Sequence, residues 1–282
     1  MLQAPQRTGL SGPTLIRLLT RLTDAEVQQS RQSLSDHLSQ WLGWTDAIAL
    51  SAALNTAPPV IAPSARMFSS AEERECVRVR TTLADAIASD TAATAAKRVA
   101  PARAPAKKLA AVLAEDAFDY SSFRQRYLSL QHTMETSIGN LRSRLRGMVA
   151  ARNGEWTRLA VVDAIMDRAL LPKERALLGA IPKLLQAHFD GLRKAEEAAL
   201  AQAAEQALAE PGAPADATAD VPGDTQAPAV DAAQAGTSPP APAITAGAWL
   251  DTFRADMRAV LLAELDVRLQ PVEGLLAALR TS

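Results

Sequence analysis

The chain has 282 residues and a formal net charge of −1, and it is 48% hydrophobic but only 4% aromatic. Its 59 Ala and 36 Leu favour helices, and the lack of recurring Val/Ile runs argues against a β-sandwich, a barrel or a sheet-based α/β enzyme. A near-neutral whole gives no general bias toward nucleic acid or acidic lipid, although residues 91–158 carry a local net of +7 and residues 159–282 one of −7.

Ser11-Gly12-Pro13-Thr14 opens a first helix, because proline suits the first helical turn. Leu15, Leu18, Leu19 and Leu22 then recur at helical spacing. A second segment carries Leu34, Leu38, Trp41, Leu42, Ile48 and Ala52. Gly43 interrupts it, Thr45 could cap its second half, and Pro58-Pro59 requires it to end by Asn55. Ser70-Ala71-Glu72-Glu73 reads as a capping box opening a helix with Cys76, Val79, Leu83 and Ile87 on one side. Residues 1–90 form an N-terminal helical region on this reading.

Residues 91–108 are almost entirely Ala, Pro and basic residues, which predicts a flexible linker. A central bundle region spans 109–210. Phe123, Tyr127, Leu130, Met134, Ile138, Leu141, Leu145 and Met148 make a seam at 3–4 spacing, close to a heptad pattern with one stutter. The seam is read as a bundle core, with self-association as the second option. Asn153-Gly154 is a break, Pro172 marks a new start, and Pro182 either kinks the helix that follows Pro172 or begins the next one. Residues 211–247 hold seven prolines, four Asp and no basic residue, and are expected to be disordered. Residues 248–282 hold an amphipathic helix over Trp249–Leu269, broken by Pro271. The fold class expected is all-α: a helical bundle with long, partly coiled-coil-like helices and two low-complexity disordered segments.

The residues give no positive evidence for catalysis. His37, His132 and His188 are far apart, so no metal set is expected. Cys76 sits on an apolar stripe and reads as a buried thiol. No phosphate loop, dinucleotide fingerprint or nucleophile elbow occurs, so no cofactor is expected. One thiol implies no oxidising compartment, no segment suits a membrane span, and a cytoplasmic location follows.

Two interaction surfaces are candidates. The face Leu250, Phe253, Met257, Val260 and Leu261 would dock a protein partner if the C-terminal helix hangs free on its acidic tether. Changing Phe253 and Met257 to Asp would then abolish capture with helicity intact. The alternative is that this helix folds back onto the bundle. Lys97, Arg98, Arg103, Lys107 and Lys108 could hold an anion, and with Arg124, Arg126, Arg142, Arg144, Arg146 and Arg152 they form the disfavoured alternative of nucleic-acid association.

One further signal lies in the N-terminal block. Leu2-Gln3-Ala4-Pro5-Gln6-Arg7, Leu10-Ser11-Gly12-Pro13 and Ser39-Gln40-Trp41-Leu42-Gly43-Trp44-Thr45-Asp46-Ala47-Ile48-Ala49-Leu50 together resemble a proteobacterial family catalogued as a domain of unknown function, number 3348. The resemblance extends through the Tyr127–Arg152 helix and over most of the chain. It implies genes that neighbour those for an OmpA-like peptidoglycan-binding protein and a large membrane protein with coiled regions, hence a cytosolic accessory role near an envelope complex, and it carries over no functional residue. The expected function is a non-enzymatic helical adaptor or scaffold acting through protein–protein contacts.

Overall fold

The computed structural model describes residues 13–23, 32–55, 69–96, 119–152, 154–209 and 247–281. Among these, the regular elements are helices and no strand occurs. In chain order they are α1 (Thr14–Thr23), α2 (Leu34–Trp41), α3 (Trp44–Asn55), α4 (Ser70–Ala96), α5 (Tyr120–Ala150), α6 (Gly154–Leu178), α7 (Ile181–Ala209) and α8 (Ala248–Arg280). The basic residues Lys97 to Lys108 and the acidic stretch to residue 246 lie outside the described residues.

Local chemistry sets the helix starts. The Pro13 carbonyl accepts from the Arg17 N–H at 3.2 Å, so α1 begins where its proline requires. Ser33 and Asp36 form a capping box: the Ser33 hydroxyl accepts from the Asp36 N–H at 3.1 Å, and the Asp36 carboxylate accepts from the Ser33 N–H at 3.0 Å. The break at Gly43 is real, but the Gly43 carbonyl accepts the first α3 bond, from Ala47 at 2.9 Å, and Thr45 lies inside α3. The box at the head of α4 sits one residue earlier than expected. Ser69 is its cap, and the Glu72 carboxylate accepts from the Ser69 N–H at 2.9 Å. Ser69 and Glu72 have the same Ser-x-x-Glu spacing that Ser70 and Glu73 offer one residue later. α4 runs to Ala96, into the region read as linker.

Two prolines do not act as expected. Pro172 lies within α6, and Pro271 lies within α8. A mid-helix proline costs about 3 kcal/mol or more. Beyond Pro271, however, Val272, Leu275, Leu276 and Leu279 are all buried, each worth roughly 1.5–3 kcal/mol, so packing holds the helix together. Pro182 is the second residue of α7 and begins that helix. The turn before it needs Gly179, because a Cβ there would stand 2.8 Å from the Arg175 carbonyl oxygen.

The core is built around α8. That helix is about 50 Å long at 1.5 Å per residue. It packs against α1, α4, α5 and α7. The 123–148 seam lies here: Phe123, Tyr127, Met134, Ile138, Leu141 and Leu145 are buried, and Leu130 and Met148 pack against them. Leu15 of α1 and Leu83 and Ile87 of α4 belong to the same core, so packing continues across residue 90. Near the start of α8 the aromatic rings gather. Phe253 lies 5.0 Å from Phe189 and 5.2 Å from Phe123, and Trp249 lies 4.9 Å from Phe189, all edge-on. α6 packs on α5, and α3 packs on α6 with α2 beside it.

Candidate functional site

The expected docking face is part of the core. Leu250, Phe253, Met257, Val260 and Leu261 are all at most 2% exposed. The helix has folded back, because its apolar stripe completes the faces of α1, α4, α5 and α7. The stripe has no surface left to offer a partner. The double Asp variant at Phe253 and Met257 would therefore unfold the bundle, since buried unpaired carboxylates are strongly unfavourable.

The central arginines are largely committed. Arg142 and Arg146 stand one turn apart on α5 and face Asp163 and Asp167, one turn apart on α6. Arg142 reaches Asp163 and Asp167 at 2.6 Å each, and Arg146 reaches them at 2.6 and 2.7 Å. Spacing of four residues on both helices produces this double clamp. Arg144 pairs with Glu75 at 3.3 Å, and Arg152 donates to the Leu279 carbonyl at 2.9 Å.

A buried polar network was not foreseen. Glu264 of α8 is fully buried in the middle of the apolar seam. Its carboxylate accepts from the Tyr127 hydroxyl at 2.7 Å, from Gln131 Nε2 at 3.0 Å and from Arg268 Nε at 2.9 Å. Gln131 also donates to the Leu178 carbonyl at 3.1 Å, satisfying the C-terminal end of α6. Arg268 continues outward, its second nitrogen meeting Glu174 at 3.2 Å. Burial, reinforced by the Glu264 charge, pushes the Tyr127 hydroxyl far above its ordinary range, so it stays a donor. Burial also raises the Tyr120 hydroxyl to about 12, and that group donates to the Pro182 carbonyl. The spacing Tyr127/Gln131 against Glu264/Arg268 was the only trace in the sequence, because charge on an amphipathic helix ordinarily marks its wet side.

Beside this network lies a cleft of about 330 Å³ between α5, α6 and α8, with Trp41 of α2 on its wall. Its walls are mostly apolar, and Glu174 and Arg268 line it. Burial raises the Glu174 carboxyl above its ordinary value, with Arg268 and Arg142 opposing the rise. The network holds charges still and joins three helices. Among the described residues no group of three His, Cys, Asp or Glu is placed to hold a metal ion. His188 pairs with Asp256 at 2.9 Å, and burial raises the half-buried Cys76 thiol.

The other surface is α3. Its twelve residues, Trp-Thr-Asp-Ala-Ile-Ala-Leu-Ser-Ala-Ala-Leu-Asn, include none that is buried. Trp44 is 82% exposed, Ile48 53% and Leu54 52%. Asp46 is its one charged residue, and that carboxylate is held by Arg168 of α6 at 3.0 Å. Leu159 and Val161 of α6 are exposed as well. The sequence block singled out for its resemblance ends at Leu50 and thus covers the first seven residues of this exposed helix.

The family described as Protein of unknown function (DUF3348) matches residues 1–217 and 223–281. The chain belongs to that family. The DUF3348 chain has no match among curated proteins or solved structures. No described helix of the DUF3348 chain is long and apolar enough to cross a membrane.

Proposed function

We propose that this DUF3348 protein is a non-enzymatic helical adaptor in the cytoplasm, and that α3 is the surface it presents to a protein partner. The observation that supports this is an apolar helix held outside its own core. Solitary exposed apolar residues are ordinary, but a contiguous apolar patch marks an interaction site. The exposed side of α3 offers Trp44, Ile48 and Leu54 along about 15 Å of helix, with the uncharged Ser51 and Asn55 beside them. Its only charge is neutralised by Arg168. The partner that fits is an amphipathic helix of another protein with an uncharged apolar face, docked by packing and water exclusion. Such a contact suits an accessory subunit of a larger envelope assembly.

The test is site-specific photo-crosslinking in cells from Ala47, compared with the same chain carrying Trp44→Asp and Ile48→Asp. These changes fall on exposed positions, so far-UV circular dichroism should stay unchanged. Crosslinks to one other protein that vanish in the double variant support the reading. Crosslinks only to a second copy of the chain, or the same partner recovered from the double variant, would overturn it.

A further inference from the structure

Two carboxylates beside the cleft share one arginine. Arg142 and Arg146 are balanced by Asp163 and Asp167, and Arg175 by Glu135. Arg268 serves two carboxylates: its Nε meets Glu264 at 2.9 Å, and its terminal nitrogen meets Glu174 at 3.2 Å. Glu264 takes the shorter contact and also accepts from Tyr127 and Gln131. Glu174 is left as the outer member, and its side chain, 37% exposed, lines the cleft. One guanidinium between two carboxylates leaves Glu174 the less fully paired of the two, while the cleft lining as a whole carries Glu135, Asp167 and Glu174 against Arg142, Lys173 and Arg268. The apolar part of the wall comes from Trp41, Leu170, Leu171, Leu178 and Val267. The volume of about 330 Å³ falls within the roughly 300–1,000 Å³ typical of small-molecule sites.

We propose that the cleft binds a small amphipathic cation, with its ammonium group against Glu174 and its apolar body along the Trp41 and leucine wall. The ammonium supplies the counter-charge that Arg268 divides between two acids, through a charge-assisted hydrogen bond. The apolar body removes the leucine surface from water. An anion of the same shape would meet the Glu174 charge, and a neutral alcohol would gain only the apolar contact. Lys173 also lines the cleft and is exposed, so it is the chain's own competitor for Glu174. The site is separate from α3, so the two proposals stand or fall independently.

The experiment is isothermal titration of the full chain at neutral pH with n-octylamine, n-octanol and octanoate. Octylamine should bind at least about tenfold more tightly than either of the others, the size of one hydrogen bond to a charged group. Glu174→Gln should remove that advantage and leave octanol binding as it was. Leu171→Trp, which fills the cleft without touching a charge, should weaken all three probes together, and it serves if the Gln variant does not fold. Lys173→Gln should strengthen octylamine binding. Failure of octylamine to bind, octanoate binding equally well, or undiminished octylamine binding in a folded Glu174→Gln variant would each overturn the proposal.

Discussion

Phe253→Ala separates a core α8 from a docking α8. The Phe253 ring is fully buried and meets Phe189 at 5.0 Å, Phe123 at 5.2 Å and Tyr120 at 6.2 Å. Truncating a buried phenylalanine typically costs about 3–5 kcal/mol. The upper end applies here, because three edge-on or near edge-on ring pairs are lost, each worth roughly 0.5–1.5 kcal/mol and already contained in that total. Against a whole-domain stability of about 5–15 kcal/mol this is a large fraction. Urea unfolding reads it out with two probes. Far-UV circular dichroism follows all helices, and tryptophan emission follows Trp41, Trp44, Trp156 and Trp249 together, of which Trp249 packs on Phe189 at 4.9 Å. Both midpoints should fall together. The control Leu54→Ala, on the exposed α3, should stay within about 0.5 kcal/mol. A loss below about 1 kcal/mol for Phe253→Ala would refute the packing described here, since that is the range of an ordinary peripheral substitution.

Three further outcomes are expected. Tyr127→Phe should destabilise by about 1–3 kcal/mol in urea melts, because the buried Glu264 carboxylate loses one donor and gains no water in exchange. Ser69→Ala should cost about 1 kcal/mol and Ser70→Ala close to nothing, reversing the order that the sequence pattern suggests. The third is a pH dependence. Burial raises Glu174 above its ordinary 4.5, with Asp167 and Glu135 adding to the rise and Arg268 and Arg142 opposing it. The folded protein therefore keeps a proton that the unfolded chain releases, and stability falls as pH rises from 4.5 through the higher folded value. Glu135 runs the other way: its hydrogen bond to Arg175 lowers it, so its contribution is present above 4.5 and is lost as pH falls through the lower folded value. Melting temperature against pH should lose the first slope in Glu174→Gln and the second in Glu135→Gln.

The all-α class and the seam from Phe123 to Met148 were legible because 3–4 spacing of large apolar residues has one physical solution, a helix buried along that stripe. The same spacing in α8 was also plain, but periodicity names a buried face without naming what buries it. Only the packing of α1, α4, α5 and α7 shows that the cover is the chain itself. Pro172 and Pro271 misled for an energetic reason. Their local cost is real, and side chains beyond them, such as Leu178, Val272 and Leu276, outweigh it through contacts the local sequence does not display. The network around Glu264 was hidden because an acidic residue on a stripe reads as solvent-facing until its donors are brought in from α5. The α3 face was hidden by the opposite effect. Ile48 and Ala52 continue an apolar stripe, which suggests burial, and nothing in the twelve residues of α3 says that this side is left outside.

Hydrogen–deuterium exchange on the full chain decides whether α8 or α3 is the helix available to a partner. Amides from Phe253 to Leu276 should exchange among the slowest in the molecule, at rates set by global unfolding, while those of α3 exchange through local opening. An α8 that exchanges as fast as α3, with α5 still protected, would contradict the account and return the docking role to the C-terminal helix.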